Sequence, residues 1–217
     1  QIPPQIAALA RELDGQDDLP AVIASVVPEV CAHVVGELRK QPGVTPLVIG
    51  RDVPLPLRLD LKNATTVGVD RVLGAAAAYE RVGQAVVVAD FGTAVTIDCV
   101  NEDGVFLGGA ILPGVATAAR ALARMTAALP EVSPRLPETP WGRDTAEAIS
   151  VGIILGLAGA LRELTERYAT VLGRWPEVIA TGGDAALVAE NCDFVKAVVP
   201  DLVLMGVAAA YETWKAR

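Results

Sequence analysis

Three short stretches combine residues that could handle a phosphate, a cation and a hydroxyl group. The first is Asp90-Phe91-Gly92-Thr93. A carboxylate at a strand end, a glycine that lets the backbone come close and a hydroxyl suit a phosphate beside a hard cation. The same residues also make an ordinary Asp/Gly hairpin turn. The second is Gly68-Val69-Asp70-Arg71 at a helix start, where the helix dipole favours an ionised Asp70 and free amides can hold an anion. A carboxylate there could take a proton from a substrate hydroxyl, worth about 10²–10⁴ in rate. The plainer alternative is a first-turn acid next to a solvated arginine. The third is Thr181-Gly182-Gly183-Asp184, which reads equally as a capping box or as two glycines that admit a flat adenine.

Two further stretches are weaker. Asp144-Thr145-Ala146-Glu147 has the residues of a helix cap. Residues 108–114 (GGAILPG) are glycine-rich but lack the G-K-[ST] ending of a Walker loop.

Several chemistries are excluded. His33 is the one histidine, so no Ser-His-Asp or Cys-His mechanism and no multi-histidine zinc site can be built. It lies off the apolar stripe Val30, Cys31, Val34, Val35, Leu38 and is expected to face solvent without a role. Cys31, Cys99 and Cys192 are far apart, as expected of buried thiols in a reducing cytoplasm. Of 217 residues, 52% are apolar and 20% charged, enough apolar mass for a real core. Eighteen basic against 26 acidic side chains give a net charge of −8, and aromatics make up 4%, which argues against a nucleic-acid surface. The longest uncharged stretches, 104–119 and 148–161, fall short of the ~20 residues a membrane span needs. The chain opens at Gln1 with no Met and no basic-then-apolar leader, so further residues are expected before it.

The elements that must position these groups follow from periodicity and turn signals. Helices are expected at 3–13, 28–40, 67–81, 114–129, 149–168, 184–190 and 201–215. Strands are expected at 21–27, 46–49, 85–89, 95–100, 105–111, 177–180 and 195–199, with an extended 51–60 and a proline-rich loop at 130–144. Gly152, Gly156 and Gly159 each cost the long helix about 1 kcal/mol against alanine, so another backbone is expected to pack there, from a partner subunit or from this chain. Residues 85–217 then read as a three-strand meander followed by alternating helices and strands, and residues 1–84 repeat that plan without its meander. Duplicated β-β-β-α-β-α-β-α units are the plan of actin-like (ribonuclease H-like) ATPases. The expected organisation is an incomplete first domain, 1–84, and a second, 85–217, whose last helix packs back on the first.

Taken in order, VGVDR with its alanine-rich helix, ADFGTAVTID, GGAILPG, TAALP, GRDT and ATGGDA make the chain similar to the type III pantothenate kinases over about residues 21–217. The resemblance implies the acetate and sugar kinase, chaperone and actin superfamily, and ATP-dependent phosphorylation of the primary hydroxyl of pantothenate, the first step of coenzyme A synthesis. It implies ATP with Mg2+, a monovalent cation (K+ or NH4+), a homodimer and a cytoplasmic location. Carried over by position, Asp70 is the general base, and Gly68, Val69, Asp70 and Arg71 line the pantothenate pocket. Asp90 binds the monovalent cation, Thr93 contacts ATP with Gly92 beside it, and Thr145 contacts pantothenate, in its own or the neighbouring subunit. Gly182 and Gly183 fall where the superfamily meets adenosine.

Two departures bear on activity. The family opens with a D-x-G-N-T phosphate loop and a downstream lysine that this sequence does not contain. Losing half of a phosphate clamp should cost several kcal/mol of barrier, scaled from about 3–4 kcal/mol for one donor, so this chain alone is expected to be a poor catalyst. A tyrosine common in the family, seven residues before the glycine of G-x-D-R, is Leu61 here. These two features motivate an alternative: a non-catalytic relative that binds a small molecule or regulates as a dimer.

Overall fold

The computed structural model describes residues 19–136 and 138–216; the helix expected at 3–13 lies outside them. In chain order the elements are β1 (Leu19–Ile23), α1 (Pro28–Leu38), β2 (Val44–Val48), β3 (Arg58–Leu59), a 3-10 turn (Ala64–Thr66), α2 (Val69–Val82), β4 (Val86–Phe91), β5 (Ala94–Val100), β6 (Val105–Pro113), α3 (Val115–Met125), α4 (Thr145–Leu172), β7 (Glu177–Thr181), α5 (Ala185–Ala189), β8 (Ala197–Val198) and α6 (Leu202–Lys215). These follow the sequence expectation closely, and the exceptions have local causes. The first strand ends early because Ser25 turns the chain, its hydroxyl donating to the Val27 carbonyl at 3.1 Å and accepting from the Val27 amide at 3.2 Å. The helix expected to reach 129 stops at Met125, where the Thr126 hydroxyl donates to the Leu122 carbonyl at 2.7 Å.

The main sheet runs β3-β6-β5-β4-β7-β8, with the meander antiparallel and β7 and β8 parallel to β4. The hairpin between β5 and β6 is fixed by the Asn101 side-chain oxygen, which accepts from the amides of Asp103 (3.0 Å) and Val105 (2.9 Å). Because strand side chains alternate, β4 and β5 send two sets of residues to two cores. Val87, Ala89, Phe91, Val95, Ile97 and Cys99 meet α3, α4 and α5 on one face. Val86, Val88 and Val100 meet α2 and Leu202 at the start of α6 on the other.

Small residues let α2 and α6 pack tightly. The run Gly74–Ala78 of α2 is buried, and a Cβ on Gly206 of α6 would collide with the Leu73 carbonyl oxygen. A third cluster, including Ile49, Val53, Leu73 and Ala210, joins these helices to the parallel pair β1-β2. The helix α2 ends on Gly83 at φ 68°, whose amide donates to the Tyr79 carbonyl at 2.7 Å.

The helix α4 has 28 residues and a window of mean hydropathy 1.5, so by length and composition it is long and apolar enough to cross a membrane. Its stripe Ile149, Ile153, Ile154, Leu157 and Leu161 is nevertheless buried in this fold. A Cβ built on Gly152, Gly156 or Gly159 meets nothing within 4 Å among the described residues, so none of these packs closely against the three glycines. His33 is exposed as expected, Cys99 and Cys192 are buried, and Cys31 is half-buried.

Candidate active site

The helix α2 starts at Val69 with Gly68 as its N-cap residue. The Asp70 carboxylate folds back over this first turn and accepts from the Arg71 amide at 2.9 Å. A Cβ on Gly68 would stand 2.5 Å from that same oxygen, so glycine keeps the space the carboxylate occupies. Asp70 is exposed, while Arg71 is drawn inward.

Asp90 lies near the end of β4 on the face that packs against α2 and α6, paired in register with Thr96 of β5 and Thr181 of β7. Burial pushes its carboxyl above the usual range, and the negative charges of Asp70 and then Asp98 push it further. Asp70 and Asp90, 20 positions apart in the chain, therefore share one electrostatic neighbourhood. Beside Asp90 the β7 end turns at Gly182, which sits at φ 95°. A Cβ there would lie 2.5 Å from Asp90 Oδ1 and 2.6 Å from the Phe91 carbonyl oxygen, so only glycine fits. Asp90, Thr181, Gly182 and Gly183 line a hollow of about 380 Å³ with Asp201 and Leu204 at the start of α6. The capping-box alternative for Thr181 is not realised: Thr181 ends β7, and α5 has no side-chain cap.

Thr93 is exposed at the β4–β5 turn, and its carbonyl accepts from the Gly114 amide (3.0 Å) and the Thr117 hydroxyl (2.8 Å). This ties the DFGT turn to the N-terminus of α3. Thr145 lies elsewhere. It lines an apolar cleft of about 660 Å³ between α3 and α4, with Pro113, Met125 and Gly152, on the opposite side of the sheet from Asp70 and Asp90. Asp144 caps α4 as expected, accepting from the Glu147 amide at 2.8 Å, while Glu147 accepts from the Arg143 amide at 2.7 Å.

One residue of the site was not singled out from the sequence. Asp98, in the middle of β5, is 1% exposed and forms a two-pronged pair with Arg71. Arg71 Nε donates to Asp98 Oδ1 (3.2 Å) and Oδ2 (3.0 Å), and Nη2 donates to Oδ1. Burial pushes the Asp98 carboxyl up against the pull of Arg71 and the Thr96 hydroxyl, and the pair holds the Arg71 guanidinium high. A lone acid inside the otherwise apolar run Ile97–Val100 was the available signal, since a buried carboxylate demands a cation.

One comparison pattern matches most of the chain: that of the type III pantothenate kinases, over residues 5–167. The type III pantothenate kinase of Dehalococcoides mccartyi is 37% identical over 191 residues, covering 88% of this chain and 74% of that protein. That of Thermomicrobium roseum is 40% identical over 192 residues, covering 88% and 73%. The chain belongs to the type III pantothenate kinase family. A Baf family protein from Campylobacter jejuni, known from its crystal structure, superposes with a TM-score of 0.65 at 20% identity, covering 98% of this chain and 89% of that one, a likeness of fold. For a type III pantothenate kinase, the meander followed by α-β-α-β-α in the order β6-β5-β4-β7-β8 is consistent with an actin-like unit. Leu61 packs against Gly108, a Cβ on which would lie 3.1 Å from Leu61 Cδ2.

Asp90 carries the cost of burial without an ion-pair partner among the described residues. No three His, Cys, Asp or Glu side chains there are grouped to hold a metal ion, so a cation at Asp90 would need oxygens from the backbone, water or a ligand as well. The Gly182–Gly183 turn beside it leaves room for a flat group to approach the backbone.

Proposed function

We propose that this protein transfers the γ-phosphoryl group of ATP to the primary hydroxyl of pantothenate, giving 4'-phosphopantothenate and ADP, at the start of coenzyme A synthesis. What supports this reading is that the charge of Asp70, in the first turn of α2, raises the carboxyl of Asp90, which lines the hollow at the start of α6. Asp70 takes the hydroxyl proton, the freed oxygen attacks the γ-phosphorus, and the bond to the β,γ-bridging oxygen breaks. Gly68, Val69 and Arg71 line the pantothenate side, with Arg71 offering charge to the substrate carboxylate. Thr93 and the turn amides at Gly92 meet phosphate oxygens, and Gly182 and Gly183 meet adenosine. Asp90 would hold K+ or NH4+, and the nucleotide would bring Mg2+; these cations offset phosphate charge when bound.

Thr145 lies across the sheet from Asp70, so it can serve pantothenate only from a second copy of the chain. A homodimer built on the small-residue side of α4 supplies that copy, and the exposed Met125 in the cleft beside α4 supplies apolar area for it. A cytoplasmic location suits an enzyme of soluble metabolites with free thiols. No observation favours the binding-only alternative.

The test is turnover by the protein as its gene encodes it, read as ADP release and as the mass of 4'-phosphopantothenate. Asp70→Asn should lower kcat by about 10²–10⁴-fold, the usual worth of a positioned base, with an unchanged melting curve. Near-normal turnover by that variant would remove Asp70 from the role.

A further inference from the structure

We propose that Asp98 is the positioning residue that sets Arg71 as the reader of the pantothenate carboxylate, an assignment that rests on the phosphotransfer reading above. Asp98 sits in the interior of β5, opposite Val88 of β4 and Gly109 of β6. A carboxylate buried between two strands is costly unless it is paired, and Arg71 supplies the pair. Gly109 makes room for it: a Cβ there would stand 2.5 Å from Asp98 Oδ1. The Thr96 hydroxyl, one pleat away on the same face, also favours the ionised form of Asp98.

The way Asp98 grips Arg71 decides what is left for a ligand. Nε and Nη2 are both committed to Asp98, and the guanidinium carbon lies 5.8 Å from the centre of the Phe106 ring. Nη1 makes no hydrogen bond within the described residues, and no buried side-chain nitrogen there lacks a partner, so Nη1 is open to solvent. A guanidinium held along one edge and over an aromatic ring presents its free edge in a single orientation, as recognition of a planar carboxylate requires. Asp98 also keeps the Arg71 side chain off the adjacent Asp70, whose carboxylate takes only the Arg71 backbone amide. A buried ion pair is a poor source of stability, since apolar residues of similar volume often do as well, so the arrangement is better explained by orientation than by folding.

The experiment compares pantothenate with pantothenol, in which an alcohol replaces the carboxylate, for the native protein, Asp98→Asn, Arg71→Lys and the double variant. Asp98→Asn should raise KM for pantothenate about tenfold, with KM for ATP, kcat and KM for pantothenol changed by less than about twofold. The preference for the acid over the alcohol should collapse. The double variant should be no worse than Arg71→Lys, because both changes disable one reader. Equal losses on both substrates, additive effects, or a native-like Asp98→Asn would overturn the proposal. Should Asp98→Asn fail to fold, Arg71→Lys decides alone: it must lose the acid preference and spare pantothenol, and an unaffected variant overturns the proposal. Absence of turnover by the native protein on either substrate would instead sink the phosphotransfer reading.

Discussion

Asp90 is a charged group held where its charge is disfavoured, and the sign of the consequence can be worked out. Burial, Asp70 and Asp98 all raise its folded pKa above the ordinary 3.8. Between 3.8 and the raised value the native state holds more protons than the unfolded chain, so stability falls as pH rises through that window and levels off above it. Asp90→Asn should flatten that fall and raise the melting temperature at neutral pH, read from thermal melts between about pH 4 and 8. Potassium should raise the melting temperature of the native protein and leave that of Asp90→Asn unmoved. A variant that melts lower than the native protein at neutral pH, or that still responds to potassium, would contradict the charge balance drawn for Asp90. Burial acts in the same sense on Cys99, pushing its thiol up to about 11, which keeps it neutral and unreactive.

At the scale of elements, the approach of α2 and α6 holds Asp70 and the α6 side of the hollow in relation to each other. It depends on Gly206, because a methyl group there would run into the Leu73 carbonyl oxygen. Gly206→Ala should therefore destabilise by about 1–3 kcal/mol despite the better helix propensity of alanine, with the midpoint of urea unfolding as the readout. A stabilised variant would show that the two helices can part without cost. The glycines of α4 present the contrary case. Gly152, Gly156 and Gly159 face open space among the described residues, so their cost to the helix is not repaid by any neighbour there.

That unpaid cost belongs to the whole molecule. The cleft between α3 and α4 is lined by Ala118, Ala121, Leu122, Met125 and Ile153 together with Thr145, and Met125 is 83% exposed. A second copy seated there would cover this apolar area. Gly156→Leu adds a side chain where no described residue obstructs it, so folding should be unaffected. In sedimentation the variant should run as a single chain, and pantothenate turnover should fall with the loss of the dimer. A variant that remains dimeric would place the subunit contact on another surface.

The sequence by itself determined the elements and the two motif-borne acids. Strand and helix periods and the Asp144 cap are local, and local chemistry is written in neighbouring residues. Ordered motifs were equally sufficient for the family, since each carries residues that backbone geometry demands at fixed spacing. Tertiary structure alone decided what those residues face. Asp98 and Arg71 are 27 positions apart and meet only when α2 lies on the inner face of β5. Whether Thr181-Gly182-Gly183-Asp184 caps a helix or borders a hollow was likewise undecidable from spacing, because both need the same residue types. The strand register that sets Thr181 beside Asp90 decided it. Periodicity assigns a side chain to a face, but the partner on that face comes from distant chain, where no local pattern reaches.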